Sequence, residues 1–434
     1  MGAKTRKYRR GVVGLVVGVG LLLAGAGCGT ATQAEANEVR SEIPREQGQA
    51  TGEQVAQFVQ GAERLALESL KGKQENLVVS PASLQIAGGM VALGAKGETK
   101  EALDAMLGTD DAAVINLMEH SLKPWAGNPA VVKDKELPEK PVVHVANNVA
   151  IDDEAQVEKT YLDDIARNFG AGIMHTDLGS SEGFKPLNAW VQENSGGLIE
   201  KSALQPDKDM RLALQNAIVL AARWAIPFQE EDTRPADFHT ANGNIIQVPT
   251  MEGIAPWFFL ESQGWSMVDM PFSEGMTAQF ILPPPDTMPG DISPEILGDL
   301  KEQADTLRAS AEAIKLGVVK VSMPKVKMKT SMDLEELFEK MGAGIAFTEL
   351  ADFSGMSTTQ KLLIGQAKQQ VVLDIDEEGT KAAAVTEIAM KQASAPVIEY
   401  QHELILDRPY LVVIRTQDTG WPLFVSQVMD PSAQ

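Results

Sequence analysis

The 434-residue chain has one cysteine, Cys28, and only five histidines. A lone thiol excludes an intrachain disulfide framework and a cysteine-built metal cage. No two histidines stand at metal-ligand spacing. His144, His175, His239 and His402 fall in or beside strand-like or turn segments, none next to a Gly-x-Ser-x-Gly elbow, and read as structural residues. Positive charge is also scarce: 38 Lys and Arg face 60 Asp and Glu, for a net charge of −22. Such a chain is a poor match to nucleic acid or any polyanion, and the acid excess reads as solubility. No internal repeat is visible.

What the chain has is ordinary globular composition, 44% hydrophobic, enough for a sizeable core. Its first 27 residues stand apart. "MGAKTRKYRR" carries Lys4, Arg6, Lys7, Arg9, Arg10 and no acid, and an apolar run of seventeen residues follows. This is the pattern of a secretory signal peptide. The run is marginal for spanning a bilayer, the competing role. Cys28 follows Ala26 and Gly27, where a bacterial lipoprotein is cut and lipidated; Gly25 departs from the usual Leu. Removing five positive charges leaves the mature chain near −27. The expectation is export, with the protein either membrane-anchored at the cell envelope through a lipid on Cys28 or secreted. Residues 28–51 are polar and read as a tether to a single domain over 52–434.

Within that domain Val55, Phe58, Val59, Ala62, Leu65 and Ala66 recur at helical spacing, predicting an amphipathic helix over 53–70. Residues 83–95 are apolar almost all round, predicting a buried helix. "VVHVANNVAI" and "LALQNAIVLAARW" read as buried strands, and further strand-like runs fill the second half. Helices early, strands late and no strict alternation predict an α+β fold in one large mixed domain.

Enzymatic motifs are weak. Ser322 to Lys325 matches Ser-x-x-Lys, but the faint Lys-Thr partner at 329–331 lies four residues on, where separate elements are required. "DIDEEG" (374–379) lacks the spaced oxygens of a calcium loop. No metal and no cofactor are expected.

The stretch "DIDEEGTKAAAVTEIAMKQASAPV", Asp374 to Val397, supports two readings. Propensity favours a helix over 381–393, with Ala382, Val385, Ala389 and Ala393 near one face. Period two favours a strand. Thr380, Ala382, Ala384, Thr386, Ile388, Met390 and Gln392 are uncharged, while the other parity holds Lys381, Glu387 and Lys391.

"DEEGTKAAAVT" closely resembles the reactive-loop hinge of inhibitory serpins, here Glu377, Glu378, Gly379, Thr380, Ala382, Ala383 and Ala384. The resemblance runs from about Gly52 to Pro431. "NLVVSPASLQIAGGMVALGAKGETKEAL" is similar to the family's shutter region, with Asn76, Ser80, Pro81, Ser83, Gly94 and Thr99 in place, and Trp224 stands at the position of the breach tryptophan. Blocks such as "TRPADFHTANGNIIQVPTM" and "RPYLVVIRTQDTGWPLFVSQVMDP" follow in family order. Gln369 departs from the family's shutter histidine, and Ser426 from a glycine.

The resemblance implies a large central sheet, two smaller sheets, about eight to nine helices and an exposed reactive loop over about 377–398. It implies a monomeric inhibitor of serine proteases and not an enzyme. The loop, exposed from Gly379 onward, is cleaved and then inserts as an extra strand, trapping the acyl-enzyme. Seventeen strand residues span roughly 55 Å, about one protein diameter. Family spacing puts the scissile bond at Ala393-Ser394, suiting elastase-like or subtilisin-like enzymes; a shorter count makes Gln392, or the trypsin-directed Lys391, the bait. No nucleic acid is implied, and membrane contact only through the lipid. The competing function is a non-inhibitory serpin-like binding or chaperone protein.

Overall fold

The computed structural model describes residues 38–134, 136–310, 318–380 and 399–433. The predicted first helix spans Gly52–Leu70. Thr51 caps it, accepting from the Gln54 amide while the Gln54 side chain returns to the Thr51 amide. The apolar face predicted from spacing is the face that is buried, except Val55, which is half-buried against the core. The buried helix begins two residues earlier than expected and ends sooner, at Pro81–Ala92. Ser80 caps it, Pro81 opens its first turn, and every residue in it is buried. Eight α-helices are present among the described residues.

Three sheets organise the chain. The largest has seven strands in the order Glu38–Val39, Ile173–Thr176, Val142–Asp152, Leu212–Arg223, Gly379–Thr380, Ile364–Ile375 and Val326–Asp333. A six-stranded sheet runs from Leu77–Val79 through Pro422–Val428, Tyr410–Thr416, Met276–Leu282 and Trp265–Pro271 to Phe258–Ser262. A four-stranded sheet joins His402–Ile405, Val319–Pro324, Ile245–Ala255 and Arg234–His239. Leu212–Arg223 lies mid-sheet and is buried along almost its whole length, which is why it reads as a continuous apolar run. Buried polar residues interrupt that run only at Gln215 and Asn216.

The strand-like run around Ser322 divides between two sheets. Val319–Pro324 pairs in the small sheet, Val326–Asp333 in the large one, and Lys325 is the crossing point. This separates Ser322 and Lys325 into different surroundings: the Ser322 hydroxyl faces Glu252, and Lys325 binds Glu377.

One expectation needs correction. Residues 38–50, read as tether, lie against the body. Glu38 and Val39 add a strand to the edge of the large sheet, opposite Met174 and Ile173. Arg45 pairs with Glu119 at 2.8 Å, and the Gly48 amide donates to Asn116 Oδ1 at 2.7 Å. Polar composition misled here because these contacts are ionic and backbone contacts, which leave no apolar period. Residues 1–37, with Cys28 and the expected signal segment, lie outside the described residues.

Candidate functional site: a seam in the large sheet

Leu212–Arg223 and Ile364–Ile375 pair in parallel, from Ile364 opposite Leu212 to Val371 opposite Ile218. Each is antiparallel to its outer neighbour. One further strand between them, antiparallel to both, would make this region uniformly antiparallel, the slightly more stable arrangement.

That strand has already begun. Beyond Val371 the two strands no longer pair directly, and Gly379–Thr380 stands between them. Thr380 is level with Ala222 on one side and Ile375 on the other, and Gly379 with Arg223. The expectation that the loop is exposed from Gly379 onward is therefore corrected: Gly379 and Thr380 are buried, Thr380 to 1% exposure. The reason is the tight turn before them. Asp376 Oδ1 accepts from the Glu378 and Gly379 amides at 2.9 and 3.2 Å, folding the chain back into the sheet. A Cβ on Gly379 would run into the carbonyl oxygen of Ala222, so this close approach requires glycine. The Thr380 hydroxyl is buried with no hydrogen-bond partner among the described residues.

The turn is clamped from both sides. Trp224 receives it: its amide donates to Glu378 O at 2.9 Å and its indole Nε1 to Asp376 O at 3.0 Å. The ring stacks on Phe272, with centroids 4.5 Å apart. Glu377 is pinned by Lys325 Nζ at 2.6 Å and by the Thr233 hydroxyl at 2.6 Å, and its carbonyl accepts from the Phe228 amide at 2.9 Å. Burial opposes charge on Glu377, but the hydrogen bonds from Lys325 and Thr233 outweigh it and hold the carboxyl below its ordinary value.

Further down the seam a polar cluster joins both strands to the buried helix. Gln369 and Asn216 are level partners across the seam, and Gln369 Nε2 donates to Asn216 Oδ1 at 3.1 Å. The same amide donates to Ser80 O and its oxygen accepts from the Ser80 amide, both at 3.0 Å. Asn216 Nδ2 donates to Ser83 O at 3.1 Å and also meets Ser83 Oγ and Asn147 Oδ1. Gln369 thus links three elements with a group that does not titrate. Asn76 is not part of this cluster. Its side chain holds the C-terminus, accepting from the Met429 and Asp430 amides at 2.7 and 2.9 Å and donating to Asp430 O at 2.6 Å. Ser426 pairs with Val78 in the six-stranded sheet, and its buried hydroxyl has no partner among the described residues.

Across the opposite face of the seam lies segment 201–205. Gln370 accepts from the Ala203 amide at 3.0 Å and donates to Lys201 O at 3.3 Å. Gln366 accepts from the Gln205 amide and donates to its carbonyl, at 3.0 and 2.9 Å.

Glu377, Glu378, Gly379, Thr380 and Trp224 converge at the upper end of the seam, and Ser80, Pro81, Ser83 and Gln369 at its middle. Ala382, Ala383, Ala384, Lys391, Gln392, Ala393 and Ser394 lie outside the described residues. Sequence reasoning missed Lys325, Thr233, Asn147 and Asn216. The asparagines were visible as polar residues inside apolar strand runs; nothing local marked the other two. Among the described residues no cluster of three or more His, Cys, Asp or Glu could hold a metal ion. No helix among them is long and apolar enough to cross a membrane.

The fold is thus defined by a parallel seam in the large sheet, paired from Ile364 to Val371 and separated above that by Gly379–Thr380. The family described as "Serpin (serine protease inhibitor)" matches residues 62–431. The chain is 28% identical over 370 residues to an alpha-1-antitrypsin-like protein of Tamias sibiricus, covering 83% of this chain and 84% of that one. It is 26% identical to human neuroserpin over 372 residues, covering 83% and 87%. Among solved structures, the thermophilic serpin tengpin in its native state aligns with a TM-score of 0.73 at 23% identity, covering 92% of this chain and 99% of that one. Thyroxine-binding globulin complexed with thyroxine aligns with a TM-score of 0.67 at 22% identity, covering 87% and 99%. The chain belongs to the serpin family, whose members are protease inhibitors in the main and not enzymes.

Proposed function

We propose that the chain is a suicide inhibitor of serine proteases. A protease cleaves the loop downstream of Thr380 and forms an acyl-enzyme. The freed segment then enters the seam and carries the protease along before deacylation. The observation that carries this reading is Thr380, seated between Ala222 and Ile375 and followed by small residues. Continued at the same register, Ala382 and Ala384 follow on the inner face, where a charge would be buried unpaired. Thr386 comes level with Asn216 and Gln369, where its hydroxyl replaces the bond that its entry severs.

Counting from Glu377 places the reactive bond at Ala393-Ser394. A small residue before the cut suits elastase-like or subtilisin-like proteases, and Lys391 a trypsin-like one. Export and lipidation at Cys28 belong to the same reading and put the inhibitor among secreted proteases. The test is incubation with a panel of these proteases. Complexes that survive denaturing electrophoresis support it, with fragment masses locating the cut; none across a broad panel would overturn it.

The second reading, a non-inhibitory binding protein, draws on the likeness to thyroxine-binding globulin. Heat separates the two: loop cleavage raises the melting temperature greatly in an inserting serpin and leaves it unchanged in a binder.

A further inference from the structure

We propose that the outer face of the seam reads the charges of the entering segment, with Asp374 receiving Lys381 and Lys368 receiving Glu387. The proposal rests on the inhibitory reading above and concerns how the segment finds its register.

Two pairings anchor the geometry: Thr380 is level with Ala222 and with Ile375. In an antiparallel strand, each residue further into the loop steps one residue back along both neighbours. The seam's present register agrees with this. Residues that now face each other across it, Gln369 with Asn216 and Val371 with Ile218, are the ones an entering residue would separate. Lys381 then comes level with Asp374 and Ala221, and Glu387 with Lys368 and Gln215.

Level residues on neighbouring strands point to the same face. Gln369, Val371, Leu373 and Ile375 are buried toward the core, so Lys368 and Asp374 occupy the outer face. Both already take part in cross-strand pairs on their far side. Lys327 is level with Asp374, with Nζ 3.9 Å from Oδ2, and Asp333 is level with Lys368 and ion-paired to it. The entering strand therefore completes two rows of alternating sign, Lys327–Asp374–Lys381 and Asp333–Lys368–Glu387. Lys391 falls where a bulge between Ile364 and Gln366 ends the regular register, and takes no part.

The small inner-face residues cannot supply this information. Beyond the seated Thr380, a slip of two residues keeps the same parity inward, so the inner face stays uncharged. It does break both charge rows. With Thr380 seated, a two-residue bulge after it brings Ala383 level with Asp374 and Ala389 level with Lys368, so neither row forms. The two loop charges are thus specificity determinants for register.

The test uses the full-length intact protein, whose own Gly379 and Thr380 fill the top of the seam, and synthetic peptides spanning residues 381–390, one with the natural sequence and one with Lys381→Glu and Glu387→Lys. The two peptides have equal composition and net charge. The natural peptide should anneal into the seam and raise the melting temperature, and the exchanged one should anneal roughly tenfold more slowly, because two attractive pairs become two repulsive ones. A Lys368→Glu protein should prefer a peptide carrying Glu387→Lys over the natural one. Equal annealing of the natural and exchanged peptides overturns the charge proposal and leaves insertion standing. If neither anneals, and loop cleavage does not raise the melting temperature, the inhibitory reading falls and the proposal with it.

Discussion

Thr380 and Ala222 are level partners in the large sheet, so the hinge enters the seam before any cleavage. Its hydroxyl is buried without a partner among the described residues, so Thr380 is held by backbone pairing and close packing.

Replacing Thr380 with arginine should therefore act twice. A guanidinium level with Ala222 is a buried, unpaired charge costing several kcal/mol. The hinge should leave the sheet in the intact protein, and insertion should stall after cleavage. Incubation with a trapped protease should then yield cleaved product in place of stable complex. Continued stoichiometric trapping would contradict the insertion mechanism. Thr380→Val, which removes the unpartnered hydroxyl at nearly constant shape, should be neutral or stabilising by about 0.5–1 kcal/mol.

Gln369→Leu should destabilise the intact protein by roughly 1–3 kcal/mol, because the Ser80 amide loses its buried acceptor. It also removes the side-chain bond across the seam to Asn216. Spontaneous loop entry on mild heating should accelerate, seen as loss of inhibitory activity with the chain uncut. An unchanged melt and an unchanged rate of activity loss would show that the cluster does not restrain the seam.

Glu377 supplies a pH test. Its folded-state pKa lies below the ordinary 4.5. The stability it contributes is therefore present above about pH 4.5 and is lost as pH falls through the depressed folded value. Acid should loosen the turn under Trp224. In Glu377→Gln this part of the acid sensitivity should vanish, so the melting temperatures of the two proteins should converge as pH falls below 4.5. Parallel curves would assign the acid response elsewhere.

Cys28→Ser should release the protein from membranes into the soluble fraction. Unchanged membrane association after fractionation would remove the lipid anchor from the reading.

The sequence carried those parts of the fold whose physics is periodic. The Gly52–Leu70 helix and the buried strand Leu212–Arg223 were legible from spacing and from apolar runs. The hinge was legible only through its resemblance to a family, because propensity favoured a helix where residue parity favoured a strand. Contacts between distant elements were not legible. Lys325 meets Glu377 only because the chain changes sheets there, and Thr233 reaches the same carboxylate from a separate loop. The docking of residues 38–50 was hidden for a related reason: Ser41 to Asp163 and Arg45 to Glu119 join groups far apart in sequence.

Segment 201–205, fastened by Gln366 and Gln370, gives the molecule a clock. The upper seam has no direct strand pairing at the levels of Lys381 to Ala383, which end where Val371 pairs with Ile218, and the levels of Val385 and Ala389 are those of Gln370 and Gln366. On the inhibitory reading proposed above, insertion would fall into a quick first stage and a slower second one that waits for four hydrogen bonds to let go. An acyl-enzyme runs its own clock, set by deacylation. On that reading, capture or escape of a protease would depend on which runs out first, and the inhibitor's interval would be set by two glutamines on the far face of the sheet from the core.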